Sequence, residues 1–235
     1  MIPNQCIIIG GGSSLTSALN LSSDLSLQDR LATKFVISTN YSFLHFPSTF
    51  LAFTDRDFYS PHPKPKGKET NPNYYQQLKE LSLIVGLDSE DMQVIKHPNT
   101  ILLKSANSYQ REHCLDKGFY CSFLTGIVAL SIASYLMKYK GIIWLLGFDW
   151  GGIKTHYYDN IKHRGIGNSK LYNAHNPHNY FKCFLEPNLK IYNVSLNSNI
   201  QTFEKISYER FYQLLSKDVV NQDILREEIR RCLTK

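Results

Sequence analysis

Residues 148–178 read FDWGGIKTHYYDNIKHRGIGNSKLYNAHNPH and hold four of the eight histidines, His156, His163, His175 and His178. Asp149, Asp159 and several tyrosines share the segment. A neutral imidazole near pH 7 takes a proton from a hydroxyl as that hydroxyl attacks, so His156 is the candidate general base. An exposed loop histidine without a chemical role is the plain alternative. His156, Asp159 and His163 also stand at a metal-ligand spacing, but an i, i+3, i+7 pattern gathers them only on a helix, and no metal site is expected. Asp149 follows an apolar run. There it suits a ribose hydroxyl or Mg²⁺, and equally the capping of the next turn.

The second chemical segment is CIIIGGGSSL, residues 6–15. Glycine lets the backbone take positive φ and lets a ligand approach without a Cβ in the way. With Ser13 or Ser14 capping a following helix, first-turn N–H groups would point at an anion. No Gly-Lys-Ser/Thr follows, so this is not a P-loop, and the third glycine of a dinucleotide fingerprint falls on Leu15. A plain tight turn between strand and helix stays open as the other reading. If the loop holds a nucleotide, valine at Gly11 or Gly12 is expected to abolish binding and leave the fold largely intact.

Elements of alternating type must position these groups. Apolar, β-branched runs at 6–10, 34–39, 49–55, 92–97, 100–105, 141–147 and 189–194 predict strands, and helices are predicted around 74–86, 118–139, 207–216 and 219–233. Near-continuous apolar strands alternating with helices argue for a parallel sheet covered on both faces. The chain therefore reads as one α/β nucleotide-binding domain over residues 1–235, Rossmann-like, with C-terminal helices in 207–235. Such sheets bind ligands outside the carboxyl ends of their strands. That rule selects Gly10 to Ser14, Asn40, Asp55 with Arg56, and Asp149 with Trp150. The long segments 56–73 and 148–178 are natural lids over this rim.

Composition narrows the classes. Apolar residues make up 43% and aromatics 13% of 235 residues, which rules against disorder and leaves enough to bury a core. The net charge of +6 suits an anionic ligand, but the basic residues are scattered. Lys64, Lys66 and Lys68 fall in a proline-rich loop, and Arg226, Arg230 and Arg231 beside Glu227 and Glu228 read as a solvated helix face, so no nucleic-acid partner is expected. The five cysteines show no C-x-x-C spacing and argue for reduced thiols in the cytoplasm. No signal peptide is read at the N-terminus. Phe119 to Met137 carries no charge and is long enough for a membrane span, yet its small polar residues favour a buried crossover helix. Cytoplasmic localisation follows, with peripheral attachment to the inner membrane and homo-oligomerisation left open.

Four features in order, IIIGGGSSL, STN after the second strand, LTGIVALSIASYL leading into GIIWLLGFDWGG, and THYY, resemble the bacterial sialyltransferases of glycosyltransferase family 42. They equally resemble the related motility-accessory-factor and 6-hydroxymethylpterin diphosphokinase-like proteins, a layout shared by small proteins of phages and prophages. The resemblance implies that Gly11, Gly12, Ser13 and Ser14 hold the nucleotide's phosphate region. It implies that Asn40, Thr125 and Gly126 face the nucleotide sugar, and that His156 is the base. Where the family reads Gly-Asn-Gly-Pro-Ser-Leu, this chain has Gly11 and Ser13. The family's arginine before the Thr-Gly pair is missing, and its tyrosine past the strand-end aspartate is Gly151, which leaves Tyr157 or Tyr158 to meet the leaving group. The implied activity is inverting transfer from a nucleotide sugar, a CMP-sugar by resemblance, to a glycan or other hydroxyl acceptor, with no cofactor required. Asp55 and Asp149 complete the nucleotide rim. A non-catalytic nucleotide-binding or interaction protein of phage type, and a Mg²⁺-dependent pterin-type diphosphokinase with Asp149 or Asp55 on the metal, are the alternatives.

Overall fold

The computed structural model describes residues 1–19, 26–54, 74–88, 98–106, 115–116, 118–120, 125–150 and 181–235. Their strands are β1 Gln5–Ile9, β2 Val36–Thr39, β3 Phe50–Phe53, β4 Ile84–Asp88, β5 Thr100–Ala106, β6 Phe119–Tyr120, β7 Gly141–Leu146, β8 Leu189–Asn193 and β9 Glu204–Lys205. The α-helices are α1 Leu15–Leu19, α2 Leu27–Leu31, α3 Tyr74–Glu80, α4 Thr125–Leu136, α5 Tyr208–Leu214 and α6 Gln222–Leu233. The strands form one sheet in the order β6-β5-β4-β3-β2-β1-β7-β8-β9. Every pairing between neighbours in it is parallel. The expected strand at 92–97 lies outside the described residues.

Successive side chains of a strand point to opposite faces, and both faces here are covered. Cys6 and Ile8 of β1, with Ile143 and Leu145 of β7, pack in one cluster with α4 and with Leu225, Ile229 and Leu233 of α6. Ile7 and Ile9, with Trp144 and Leu146, pack in another with Leu15 of α1, Leu27 and Leu31 of α2 and Phe211 of α5. This two-sided burial is why the central strands read as continuous apolar runs. A mostly parallel sheet with helices on both faces is thus the observed architecture.

Helix α4 crosses behind β1, β2 and β3 on its way from the β6 edge to β7. Ile127, Val128, Ala129, Leu130, Ile132 and Ala133 are each no more than 1% exposed, so the helix is apolar on all sides because it is buried on all sides. Its 12 residues rise about 18 Å, well short of a bilayer core of about 30 Å. Among the described residues, no helix is long and apolar enough to cross a membrane.

Two expected helices give way in part to strands. Within the helix predicted over 118–139, α4 spans Thr125–Leu136, while Phe119–Tyr120 pairs with Ser105 and Ala106 as β6. Gly118 permits this at φ +96°, where an added Cβ would stand 2.7 Å from both Ala106 N and Ser105 C. The helix predicted over 74–86 ends at Glu80, and Ile84–Asp88 is strand β4 between β3 and β5. Gly86 lies under the Phe53 ring, where an added Cβ would stand 2.5 Å from Cζ.

The basic C-terminal face is also not simply solvated. Arg226 donates from Nε to Thr49 O at 3.0 Å and from a terminal nitrogen to Ser48 O at 3.3 Å, and Arg230 donates to Ser82 O. These carbonyls precede β3 and β4, so α6 ties down the amino ends of two strands. Arg231 pairs with Glu228 at 2.7 Å on the exposed side.

Candidate functional site

From β1 the chain builds the sheet outward to β6, then returns over α4 to place β7 on the other side of β1. Connections therefore diverge between β1 and β7, and such a divergence opens a crevice at the carboxyl ends of the strands. Asn40, directly after β2, flanks the end of β1 on one side. Asp149, shortly after β7, flanks it on the other.

The Asn40 side is a set of uncharged donors and acceptors. Asn40 begins a 3-10 turn, Asn40–Leu44, at φ 50°, a left-handed conformation that asparagine tolerates better than most residues. The turn is anchored to β1. Thr39 Oγ1 donates to Ile9 O at 2.8 Å, and Ser42 Oγ accepts from Thr39 N–H at 2.9 Å. Thr125 Oγ1, at the start of α4, donates to Asn40 Oδ1 at 3.1 Å. It lies 3.0 Å from Thr54 Oγ1, so with its own proton given to Asn40 it accepts from Thr54. Three side chains from three elements meet here.

On the other side the carboxylate of Asp149 faces the glycine loop. Its Oδ2 accepts from Ser14 N–H at 2.9 Å, with Ser13 Oγ at 3.5 Å, and its Oδ1 accepts from Ser195 Oγ at 2.9 Å. The left-handed backbone of Gly147 at φ 69° and Trp150 at φ 48° brackets the turn that presents it. The segment after β8 braces that turn, since Asn193 Nδ2 and Ser198 Oγ both donate to Phe148 O, at 3.0 and 2.7 Å. Asn199 N–H donates to Asp149 O at 2.9 Å.

Tyr208 of α5 completes this wall. It is 6% exposed, and its hydroxyl is buried beside that of Ser14, the two having no other hydrogen-bond partner among the described residues. Burial first, and the charge of Asp149 second, push its phenol far above the ordinary tyrosine range, with the neighbouring Ser14 hydroxyl acting weakly against them. Tyr208 therefore stays protonated.

Gly10, Gly12 and Gly126 are accounted for by their surroundings within the protein. A Cβ on Gly10 would stand 2.6 Å from Gly147 O, and one on Gly12 would stand 2.6 Å from both Gly147 O and Asp149 Oδ2. One on Gly126, in the first turn of α4, would stand 2.7 Å from the Phe148 ring. The expectation that valine at Gly12 leaves the fold largely intact is therefore corrected, because a branched side chain there strikes the backbone after β7.

Of the residues picked from the sequence, Gly12, Ser13, Ser14 and Asp149 meet on one wall and Asn40 and Thr125 on the other, with Gly11 in the loop between. Gly126 packs beneath, against Phe148. Asp55, His156 and Tyr157, with both proposed lids apart from Phe148, Asp149 and Trp150, lie outside the described residues. Sequence reasoning missed Thr54, Ser195 and Tyr208. Thr54 and Ser195 each stand just beyond an apolar run, the same signal that selected Asn40, whereas Tyr208 arrives by tertiary packing and has no local mark. Among the described residues no three His, Cys, Asp or Glu side chains gather as a metal site. Cys6, Cys183 and Cys232 are free thiols.

No family model and no curated protein matches the sequence. The solved structure of the MAf glycosyltransferase from Magnetospirillum magneticum AMB-1 is similar with a TM-score of 0.58 at 11% identity. The match covers 99% of this chain and 38% of that one, so this chain spans well under half of its neighbour's length. At that identity the likeness concerns the fold, a Rossmann-like α/β sheet.

Proposed function

We propose that the chain binds a nucleotide or nucleotide sugar in the crevice between β1 and β7 and transfers the sugar to a hydroxyl acceptor with inversion. The observation that carries this reading is the convergence of the glycine loop, Asn40, Thr125 and Asp149 on one switch point, reached by three separate connections. The likeness to a structure named as a glycosyltransferase agrees with it. Residues 1–235 then act as one nucleotide-binding unit with 148–178 as its lid. His156 takes the acceptor's proton, Tyr157 steadies the departing phosphate, and a CMP-sugar is the donor to try first. Asp55, Gly11, Gly12, Ser13, Ser14 and Gly126 frame the ligand. A Mg²⁺-dependent diphosphokinase is less well supported, because Asp149 spends both oxygens on protein donors, Ser14 N–H and Ser195 Oγ.

The test is a thermal-shift screen of nucleotides and nucleotide sugars, where a ligand at a hundred times its Kd stabilises the fold by about 2.7 kcal/mol. A cytidine nucleotide or its sugar conjugate is expected to raise Tm. Asn40→Ala is expected to weaken that ligand by about tenfold or more while the free protein still melts cooperatively. A screen with no stabilising nucleotide, or unchanged affinity in Asn40→Ala, sinks the proposal.

A further inference from the structure

We propose that the glycine loop is closed by the protein's own Asp149 and admits no phosphate, so that a nucleotide in the crevice meets the loop with an uncharged part. The last clause rests on the reading of the crevice as a nucleotide site. The closure itself does not.

A phosphate cradle works by offering backbone N–H groups that have no other partner. In this loop the N–H groups of Gly10, Gly12, Ser14, Leu15 and Thr16 are committed. Gly10 N–H donates to Leu146 O and Gly12 N–H to Gly147 O, each at 2.8 Å, so the loop is stitched to the exit of β7. Leu15 N–H donates to Gly12 O at 3.2 Å and Thr16 N–H to Ser13 O at 3.0 Å, closing the turn on itself. Ser14 N–H, the donor a phosphate would most need, is held by Asp149 Oδ2 at 2.9 Å. The carboxylate thus occupies the position of the anion.

The site is built to keep it there. Ser195 Oγ holds the second oxygen at 2.9 Å, and Gly12 has no Cβ because one would lie 2.6 Å from the first. A phosphate would have to displace a carboxylate held by three donors, or sit beside it against like charge. Across the crevice, Asn40, Thr54 and Thr125 carry no charge and offer both donors and acceptors, which fits a base edge or sugar hydroxyls.

The experiment follows the Ser14 amide resonance of the ¹⁵N-labelled chain during titration with inorganic pyrophosphate, which carries charge without base or sugar. The expected result is that this resonance does not move with pyrophosphate, and that Asp149→Asn, similar in shape but uncharged, binds pyrophosphate about tenfold or more tightly than the native chain. A pyrophosphate-dependent shift of Ser14 in the native chain overturns the proposal, as does a folded Asp149→Asn that gains no affinity. Should Asp149→Asn fail to fold, the native titration decides alone. Failure of the nucleotide reading shows separately, as a thermal-shift screen without hits, and leaves the Ser14 result standing.

Discussion

An alanine at position 12 differs from the native residue by one methyl group, yet that group would lie 2.6 Å from a carbonyl and a carboxylate oxygen at once. The carbonyl belongs to Gly147, whose backbone is bonded to the loop, so neither side yields cheaply. Gly12→Ala is expected to cost about 1–3 kcal/mol and lower Tm by roughly 2 to 12 °C without any ligand present. Differential scanning calorimetry of the free protein checks this, and an unchanged Tm would mean that the loop stands farther from β7 than the structure has it. The same residue shows what a sequence conceals. Three glycines in a row announce a backbone that something approaches closely, but the approaching group is Asp149, more than a hundred residues away. Nothing in CIIIGGGSSL distinguishes an incoming ligand from an internal carboxylate. Asn40 was easier to find, since it directly follows an apolar strand and the crevice is made of such positions, whereas Thr125, inside a predicted helix, was marked only by the resemblance that LTGIVALSIASYL carries.

At the level of elements, α6 is the piece most dependent on its own ends. Asn221 Oδ1 accepts from the N–H groups of Asp223 and Ile224, both at 3.1 Å, and Asp223 adds negative charge to the first turn. Leu225, Ile229 and Leu233 are buried on the sheet while Ile224 and Glu227 face outward, which is the apolar stripe that made this helix legible. Asn221→Ala is expected to destabilise the protein by about 1 kcal/mol, a fall of roughly 2 to 4 °C in Tm by calorimetry. No fall would show that docking of Arg226 and Arg230 alone sets the start of the helix. Strands β1, β2, β3 and β7 were equally readable, because burial on both faces leaves unbroken apolar runs, and β5 and β8 keep an apolar majority around one exposed lysine each. Strand β4 was not. Its apolar residues follow α3 after only three others, so a helical repeat runs into a strand with no turn signal between them. The edge strands β6 and β9 are two residues long and leave no period to read.

For the whole molecule, the decisive fact is that β1 lies between β2 and β7. Its register with β7 joins Gln5 to Ile142 and Ile9 to Leu146, the longest reach in sequence of any strand pair in the sheet. Without that partner β1 is an edge, and Ile7 and Ile9 lose Trp144, Leu146 and the α5 residues packed beside them. A fragment of residues 1–140 is therefore expected to show no cooperative thermal transition by circular dichroism and to self-associate in gel filtration. A sharp transition from a monomeric fragment would show that the first six strands suffice. The position of β1 also bears on how the chain is made. Ribosomes add about 5 to 20 residues per second, so a nascent β1 waits on the order of 10 s for Leu146 to be synthesised, with one edge open. Throughout that interval the run Cys6 to Ile9 offers an unpaired apolar backbone edge to any neighbouring chain, a demand on chaperones that the finished sheet no longer makes.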